Sequence, residues 1–222
     1  MLSLPENWNY SLAGLASITK DGISSANFGD AAMFSFHATK VFHTIEGGIT
    51  VFKDEAVLEK VNHLINFGFI SPEEVQYVST NARMNEYEAA MGICNLRHID
   101  EEIEKRKAVA KRYEERLSGV KGIKLIADQL GITRNYSYFP VFFDGYKIDR
   151  NEVQKILGEN NIFARKYFYP LTSELMCYKD TYGDSVKNTP VAKKAAECVL
   201  ALPMYADLSL SHVDRICDII LK

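Results

Sequence analysis

Lys40 is the residue of this chain best placed to do covalent chemistry. It ends the run Phe34-Ser35-Phe36-His37-Ala38-Thr39-Lys40, and Gly47 and Gly48 follow soon after. Ala31 to Phe36 reads as a short buried strand, so a lysine at the end of that strand and its turn is partly desolvated. Desolvation favours the neutral amine, the form that condenses with a carbonyl to give an imine. The Ser35 hydroxyl, five residues earlier, can donate to a phosphate oxygen. The two glycines let a backbone come close to a ligand. By spacing alone, a solvated surface lysine is the plainer reading.

Two other segments carry chemistry-bearing side chains. Ser79-Thr80-Asn81-Ala82-Arg83-Met84-Asn85 precedes a long helical pattern. Unpaired N–H groups at a helix start attract anions, although such a segment often serves only as a cap. Arg165-Lys166-Tyr167-Phe168-Tyr169-Pro170 sets two cations beside three aromatics. That pattern suits an anionic ligand with a flat ring, or else an exposed strand end with snorkelling cations.

The elements that must hold these residues are partly legible. Ile45 to Phe52 reads as a turn entering a second strand. Asp54 caps a helix to about Phe67, with Val57, Leu58, Val61, Leu64 and Ile65 at helical spacing. Residues 68 to 82 read as a loop. From Asn85 to about Leu117 the pattern is one long helix with a bend near His98-Ile99-Asp100; Glu101/Lys105 and Glu102/Arg106 are i,i+4 pairs on a solvated face. Beyond Gly119 and Gly122, Ile123 to Ala127 and Tyr136 to Phe143 read as strands. A helix runs from Asp149 to about Glu159, a turn and strand from Asn160 to Arg165, and helices over Pro190–Leu200 and Ser209–Leu221. Residues 1 to 30 have no clear period and read as loops or short strands.

Composition removes several function classes. Lys+Arg 26 against Asp+Glu 29 gives a formal charge of −3, the opposite of a nucleic-acid binder's balance. No apolar run approaches the roughly 18 residues of a membrane span, and Met1 to Tyr10 lacks the pattern of a secretory leader. Cys94, Cys177, Cys198 and Cys217 lie far apart without a CxxC pair. They read as reduced, mostly buried thiols of a cytoplasmic protein. The five histidines form no HExxH pattern, and no metal site is expected.

Several ordered motifs carry a resemblance. Phe34 to Lys40, then Glu46-Gly47-Gly48, then Asn81 to Ala90, then Arg106 and Tyr113, then Arg165 to Pro170 and Leu202-Pro203-Met204 resemble the sugar-nucleotide aminotransferases of the DegT/DnrJ/EryC1/StrS family. The match runs from about Asn27 to the C-terminus. The resemblance implies pyridoxal 5′-phosphate as cofactor and transfer of an amino group, usually from glutamate, to a nucleotide-linked keto sugar. It implies that Lys40 holds the cofactor through its ε-amine and shuttles a proton. It puts Ser35 at the cofactor phosphate, and Asn81 at the cofactor phosphate of a neighbouring subunit, so a homodimer or a pairing with a full-length relative is expected. Arg165, Lys166, Tyr167 and Tyr169 fall in the segment lining the sugar-nucleotide pocket. Thr172 stands where many relatives have histidine. The SFHATK and RKYFYPL forms look most like the branch acting on dTDP-4-keto-6-deoxyglucose. A dehydratase of the same fold would replace Lys40 with histidine.

The implied fold class is α/β. Residues 1–60 correspond to the C-terminal remnant of a fold type I aminotransferase large domain, residues 61–118 to the connecting and interface helices, and residues 119–222 to a smaller α+β domain. Family members are far longer, and the shortage lies at the front. It removes the aspartate that pairs with the pyridine nitrogen; Ser11, within Tyr10 to Gly14, stands at its place. This reading expects an N-terminally truncated gene product or an inactive relative, the alternative being a non-catalytic chain that binds a full-length homologue. It also expects a parallel sheet stripped of strands, a poorly supported first 60 residues, and a C-terminal module with its own core.

Overall fold

A computed structural model describes residues 19–182 and 187–222. Ser11 and the rest of Tyr10 to Gly14 lie outside the described residues. In chain order the elements are β1 (Thr19–Lys20), β2 (Ile23–Ser24), β3 (Ala31–Ser35), β4 (Gly48–Phe52), α1 (Glu55–Leu64), β5 (Phe69–Ser71), β6 (Glu74–Val75), α2 (Glu86–Leu96) and α3 (Ile99–Leu117). They continue with β7 (Ile123–Leu125), β8 (Ile132–Thr133), β9 (Phe139–Phe143), α4 (Arg150–Glu159), α5 (Lys179–Tyr182), α6 (Pro190–Cys198), β10 (Val199–Leu202) and α7 (Leu210–Leu221). The chain divides into two compact units. One comprises the described residues up to Ile103 together with Gln129–Asn135; the other comprises Glu104–Asp128 and the described residues from Tyr136 onward.

In the first unit, β3 and β4 pair antiparallel from Ala31↔Phe52 to Ser35↔Gly48. β1 lies between β2 and β8, again antiparallel, and β5 and β6 form a small hairpin inside the stretch expected to be a loop. Every strand pairing among the described residues is antiparallel, which corrects the parallel sheet anticipated from the sequence. β3 is also not a buried strand: its residues alternate between exposed and half-buried, and Met33 is 79% exposed. Among the described residues β4 is its strand partner, and the outer face of β3 at Met33 is left exposed. The core of this unit is small. Phe36, Val41, Phe42 and Ile99 are buried, with Phe34, Ile49, Leu96 and Ile103 packed against them.

Helix starts in this unit follow local chemistry. The Asp54 side chain accepts from the Ala56 N–H at the start of α1. Asn85 and Glu88 form a reciprocal capping box at the start of α2, Asn85 Oδ1 accepting from the Glu88 N–H at 2.9 Å. This satisfies the N–H groups of Asn85 and Glu88 and adds acidic Glu86 and Glu88 there, which disfavours an anion at that helix end. The expected single helix over 85–117 is two, parted at Arg97-His98.

The second unit carries a three-stranded antiparallel sheet in the order β10-β9-β7. Its core is extensive and includes Val109, Tyr113 and Leu117 of α3, Val141 of β9, Val153 and Leu157 of α4, Leu200 of β10 and Val213 of α7. The expected helix over Pro190–Leu200 ends at Cys198, and Val199–Leu202 is instead a strand with all four residues buried. Asp149 caps α4 through the N–H groups of Asn151 and Glu152, and Ser209 caps α7. No described helix is long and apolar enough to cross a membrane.

Charges tie α3 to α7. Arg112 grips Asp214 with two hydrogen bonds of 2.8 and 3.0 Å, and Arg116 reaches both Asp214 and Asp218. Arg112 and then Arg116 hold the Asp214 carboxyl below the usual carboxylate range. A carboxylate whose folded value is depressed contributes stability that is present above its unfolded value, near 3.9, and is lost as pH falls through the folded value. The melting temperature is therefore expected to hold on the Asp214 account down to about pH 4 and to fall below it. In Asp214→Asn the acid-side slope should flatten, as thermal melts followed by circular dichroism at stepped pH will show.

The four cysteines are free. Cys217 alone of them is buried; Cys94 and Cys177 are exposed and Cys198 is half-buried, which corrects the expectation of mostly buried thiols. Burial pushes the Cys217 thiol up to about 11. In a thiol-labelling time course near neutral pH, Cys94 and Cys177 should react first, and Cys217 only on unfolding. Early labelling of Cys217 would contradict this packing.

Candidate functional site

Lys40 lies in the connection between β3 and β4, five residues past Ser35, the last residue of β3. Its side chain is half-buried, next to buried Val41 and Phe42. The connection is braced from within. The Phe36 N–H donates to the Gly47 carbonyl and the Thr44 N–H to the Phe36 carbonyl, both at 2.9 Å. The buried Thr44 hydroxyl donates to the Glu46 carbonyl. A turn closes on the His37 carbonyl, which accepts from the Lys40 N–H at 2.9 Å. The His37 ring adds a 2.9 Å hydrogen bond to the Thr39 hydroxyl and lies 3.5 Å from Glu46.

α2 supplies the outer brace. Asn95 donates to the His43 carbonyl at 2.9 Å. The Phe36 and Phe42 rings meet edge to face at 4.9 Å. Gly92 is the one fully buried residue of α2, and a Cβ there would come within 2.9 Å of the Thr44 methyl. Gly47 has φ +133°, and a Cβ on it would meet Thr44 Oγ1 at 2.6 Å and Met84 Cε at 2.9 Å. Both glycines are thus needed for close approach of backbone to side chain. Thr44, Gly92 and Asn95 were not singled out from the sequence. Gly92 carried a usable signal, because glycine inside a helix is costly unless packing demands it.

Ser35 is exposed and opposite Gly48 in the strand register, so no side chain on β4 stands directly across from its hydroxyl. Ser35 Oγ accepts from the His37 N–H at 3.4 Å. Among the described residues no hydrogen bond or ion pair engages the Lys40 amine. An uncommitted amine and an exposed hydroxyl at one end of a braced hairpin fit a group carrying an aldehyde and a phosphate. Asn81, exposed, bridges to Asn66 in backbone pairing and accepts from Arg83 Nε at 3.4 Å. Arg83 in turn lies over the Phe67 ring at 5.4 Å.

In the second unit, Arg165 pairs through its backbone with Ala201 of β10, at 3.0 and 2.8 Å. Its exposed guanidinium donates to the Tyr167 hydroxyl. The Tyr167 ring stacks on Phe168 at 4.6 Å and meets Tyr138 edge-on at 5.4 Å. Lys166 and Tyr167 are half-buried, and Tyr169 is 47% exposed. Thr172 is exposed and opens a short turn, Thr172–Glu174. Farther on, α3 clamps the segment after β10: Tyr113 donates to the Pro203 carbonyl at 3.1 Å and Arg106 to the Met204 carbonyl at 3.2 Å. Among the described residues no cluster of His, Cys, Asp or Glu could hold a metal ion.

Comparison with known proteins gives one consistent result. The profile of the DegT/DnrJ/EryC1/StrS aminotransferase family matches residues 15–221. A dTDP-4-amino-4,6-dideoxy-D-glucose transaminase of Shigella dysenteriae is 35% identical over 214 residues, covering 95% of this chain and 57% of that protein. Its namesake in Escherichia coli is 37% identical over 177 residues, covering 79% and 48%. Among solved structures, DesI in the presence of its TDP-sugar product superposes with a TM-score of 0.82 at 30% identity, covering 91% of this chain and 52% of that one. Spr1654 from Streptococcus pneumoniae in its PLP form gives 0.84 at 25% identity, covering 92% and 54%. The chain spans about half the length of the curated relatives it matches.

Proposed function

This chain belongs to the DegT/DnrJ/EryC1/StrS aminotransferase family, and from that premise we propose that it serves a pyridoxal-phosphate-dependent transamination of a nucleotide-linked keto sugar. The family match along residues 15–221 is the observation that carries the reading. The substrate we assign is dTDP-4-keto-6-deoxyglucose, supported by the names of the Shigella and Escherichia relatives, and the donor we assign is glutamate, as the family resemblance implies.

The roles are assigned from the family resemblance; the uncommitted Lys40 amine and the exposed Ser35 hydroxyl support them. Pyridoxal phosphate held at Lys40 supplies an electron sink for the pair released when a C–H bond breaks beside nitrogen. Lys40 Nζ takes that proton and returns it, acting as base and then acid. The Ser35 hydroxyl donates to a phosphate oxygen, and the Asn81 side-chain amide donates to the phosphate bound by a neighbouring subunit. The cations of Arg165 and Lys166 attract the diphosphate, and the rings of Tyr167 and Tyr169 stack on flat parts of the ligand. A dimer, of this chain with itself or with a full-length relative, also fits the surface of the first unit. Met33 and the 90% exposed Tyr87 are large apolar groups of the kind that interfaces bury.

The balanced reaction is glutamate plus keto sugar giving 2-oxoglutarate plus amino sugar. It is tested by mass spectrometry of the sugar nucleotide with chain, cofactor and glutamate present. A parallel arm adds a full-length relative disabled at its own cofactor lysine. The expected result is 2-oxoglutarate and amino sugar formed in equal amounts in at least one arm. No amino sugar in either arm would overturn the reading.

A further inference from the structure

We propose that Arg150 is a positioning residue that locks the Tyr169 ring as a preformed platform for the ligand, an inference that rests on Arg165–Tyr169 lining the sugar-nucleotide pocket. Arg150 is 3% exposed, although it sits at the start of α4. A cation in the first turn of a helix opposes the helix dipole, so its place there needs another reason. Its Nη1 donates to the Ala196 carbonyl at 2.8 Å and the Val199 carbonyl at 3.0 Å, at the C-terminal end of α6. Its Nε donates to Asn151 Oδ1 at 3.2 Å. The guanidinium carbon lies 4.5 Å from the centre of the Tyr169 ring.

The segment around Tyr169 is anchored on both sides. Arg165 is fixed to β10 by its two backbone hydrogen bonds. Beyond Pro170, the Leu171 N–H donates to Glu174, and Lys193 of α6 reaches the same carboxylate. Between those anchors Arg150 meets one face of the Tyr169 ring and leaves the residue 47% exposed. Burial works against the charge on Arg150 and pulls its pKa down; carbonyl oxygens and the ring face offset that loss. A ring already held in one orientation loses less freedom when a ligand stacks on it. A planar guanidinium can cap a helix end and cover a ring at once, which a lysine ammonium cannot.

The test places fluorotyrosine at position 169 and compares the full chain with Arg150→Lys and Arg150→Met, using thymidine diphosphate as the probe ligand. Circular dichroism first confirms that each variant is folded; the lysine variant keeps the test open if the methionine variant is not. The expected result is a fluorine resonance that moves toward the free-tyrosine position in both variants, with probe affinity weakened about three- to tenfold. A resonance that stays put while thermal stability drops would overturn the proposal and leave Arg150 as a helix cap alone. A shifted resonance with unchanged probe affinity would overturn its part in recognition. If the unsubstituted chain shows a held ring but no affinity for the probe, the positioning stands and the sugar-nucleotide reading fails.

Discussion

Lys40→Ala is expected to abolish covalent retention of pyridoxal phosphate. The chain is incubated with the cofactor, reduced with borohydride and digested with trypsin. Trypsin cuts after Lys20, Lys40 and Lys53, and no arginine intervenes. A pyridoxyl group on Lys40 therefore blocks one cut and leaves Asp21–Lys53 as a single heavier peptide. Lys40 sits half-buried in a connection fixed by Thr44, Gly47 and Asn95, with its amine uncommitted among the described residues. Solvated lysines such as Lys53 and Lys60 react with free aldehyde only in proportion to its concentration. Modification concentrated at position 40 and lost in Lys40→Ala is the outcome the site requires; label spread evenly over exposed lysines would remove the chemistry assigned here. Ser35→Ala should retain the adduct but bind the phosphate more weakly, by about 1.5–3 kcal/mol for one hydrogen bond to a charged group.

The residues that carry this prediction were visible as a pattern, but their surroundings were not. Caps were legible because they act locally: Asp54, Asn85, Asp149 and Ser209 each accept from an N–H within three residues, as their types foretell. The state of β3 was not, because burial of a strand depends on its neighbours. The run Ala31 to Ser35 is apolar enough to be buried, yet with β4 as its strand partner among the described residues Met33 faces outward. Val199 to Leu202 misled for a related reason. Both faces are covered, so the run has no alternation to mark it as a strand, and it follows a helical pattern without a break. What decides it is partners far away in sequence: all four residues pair with β9, and the Arg165 backbone bridges to Ala201 on the other edge. Arg150 was missed as well, although a cation just inside a helix start was a signal that something other than the helix holds it.

That correction of β10 leads to the largest expected stability effect. Leu200 is fully buried and lies opposite Val141 of the central strand β9. Read as the end of a helix, it would be a fraying residue whose truncation costs little. As a strand residue in the main core, Leu200→Ala removes buried methyl and methylene groups and leaves a cavity that close packing cannot fill, at a cost of about 2–5 kcal/mol. Domains of this kind hold only about 5–15 kcal/mol in all, so a single truncation consumes a large share. Met33→Ala deletes a side chain of similar size at a site 79% exposed, and should change stability by no more than about 0.5 kcal/mol. Urea unfolding followed by circular dichroism checks both. The midpoint should fall sharply for Leu200→Ala with an unchanged slope, and stay within error for Met33→Ala. A small effect at Leu200 would mean that β10 does not sit in the core; a large one at Met33 would mean that its outer face is covered in solution, as an assembly through that face would require.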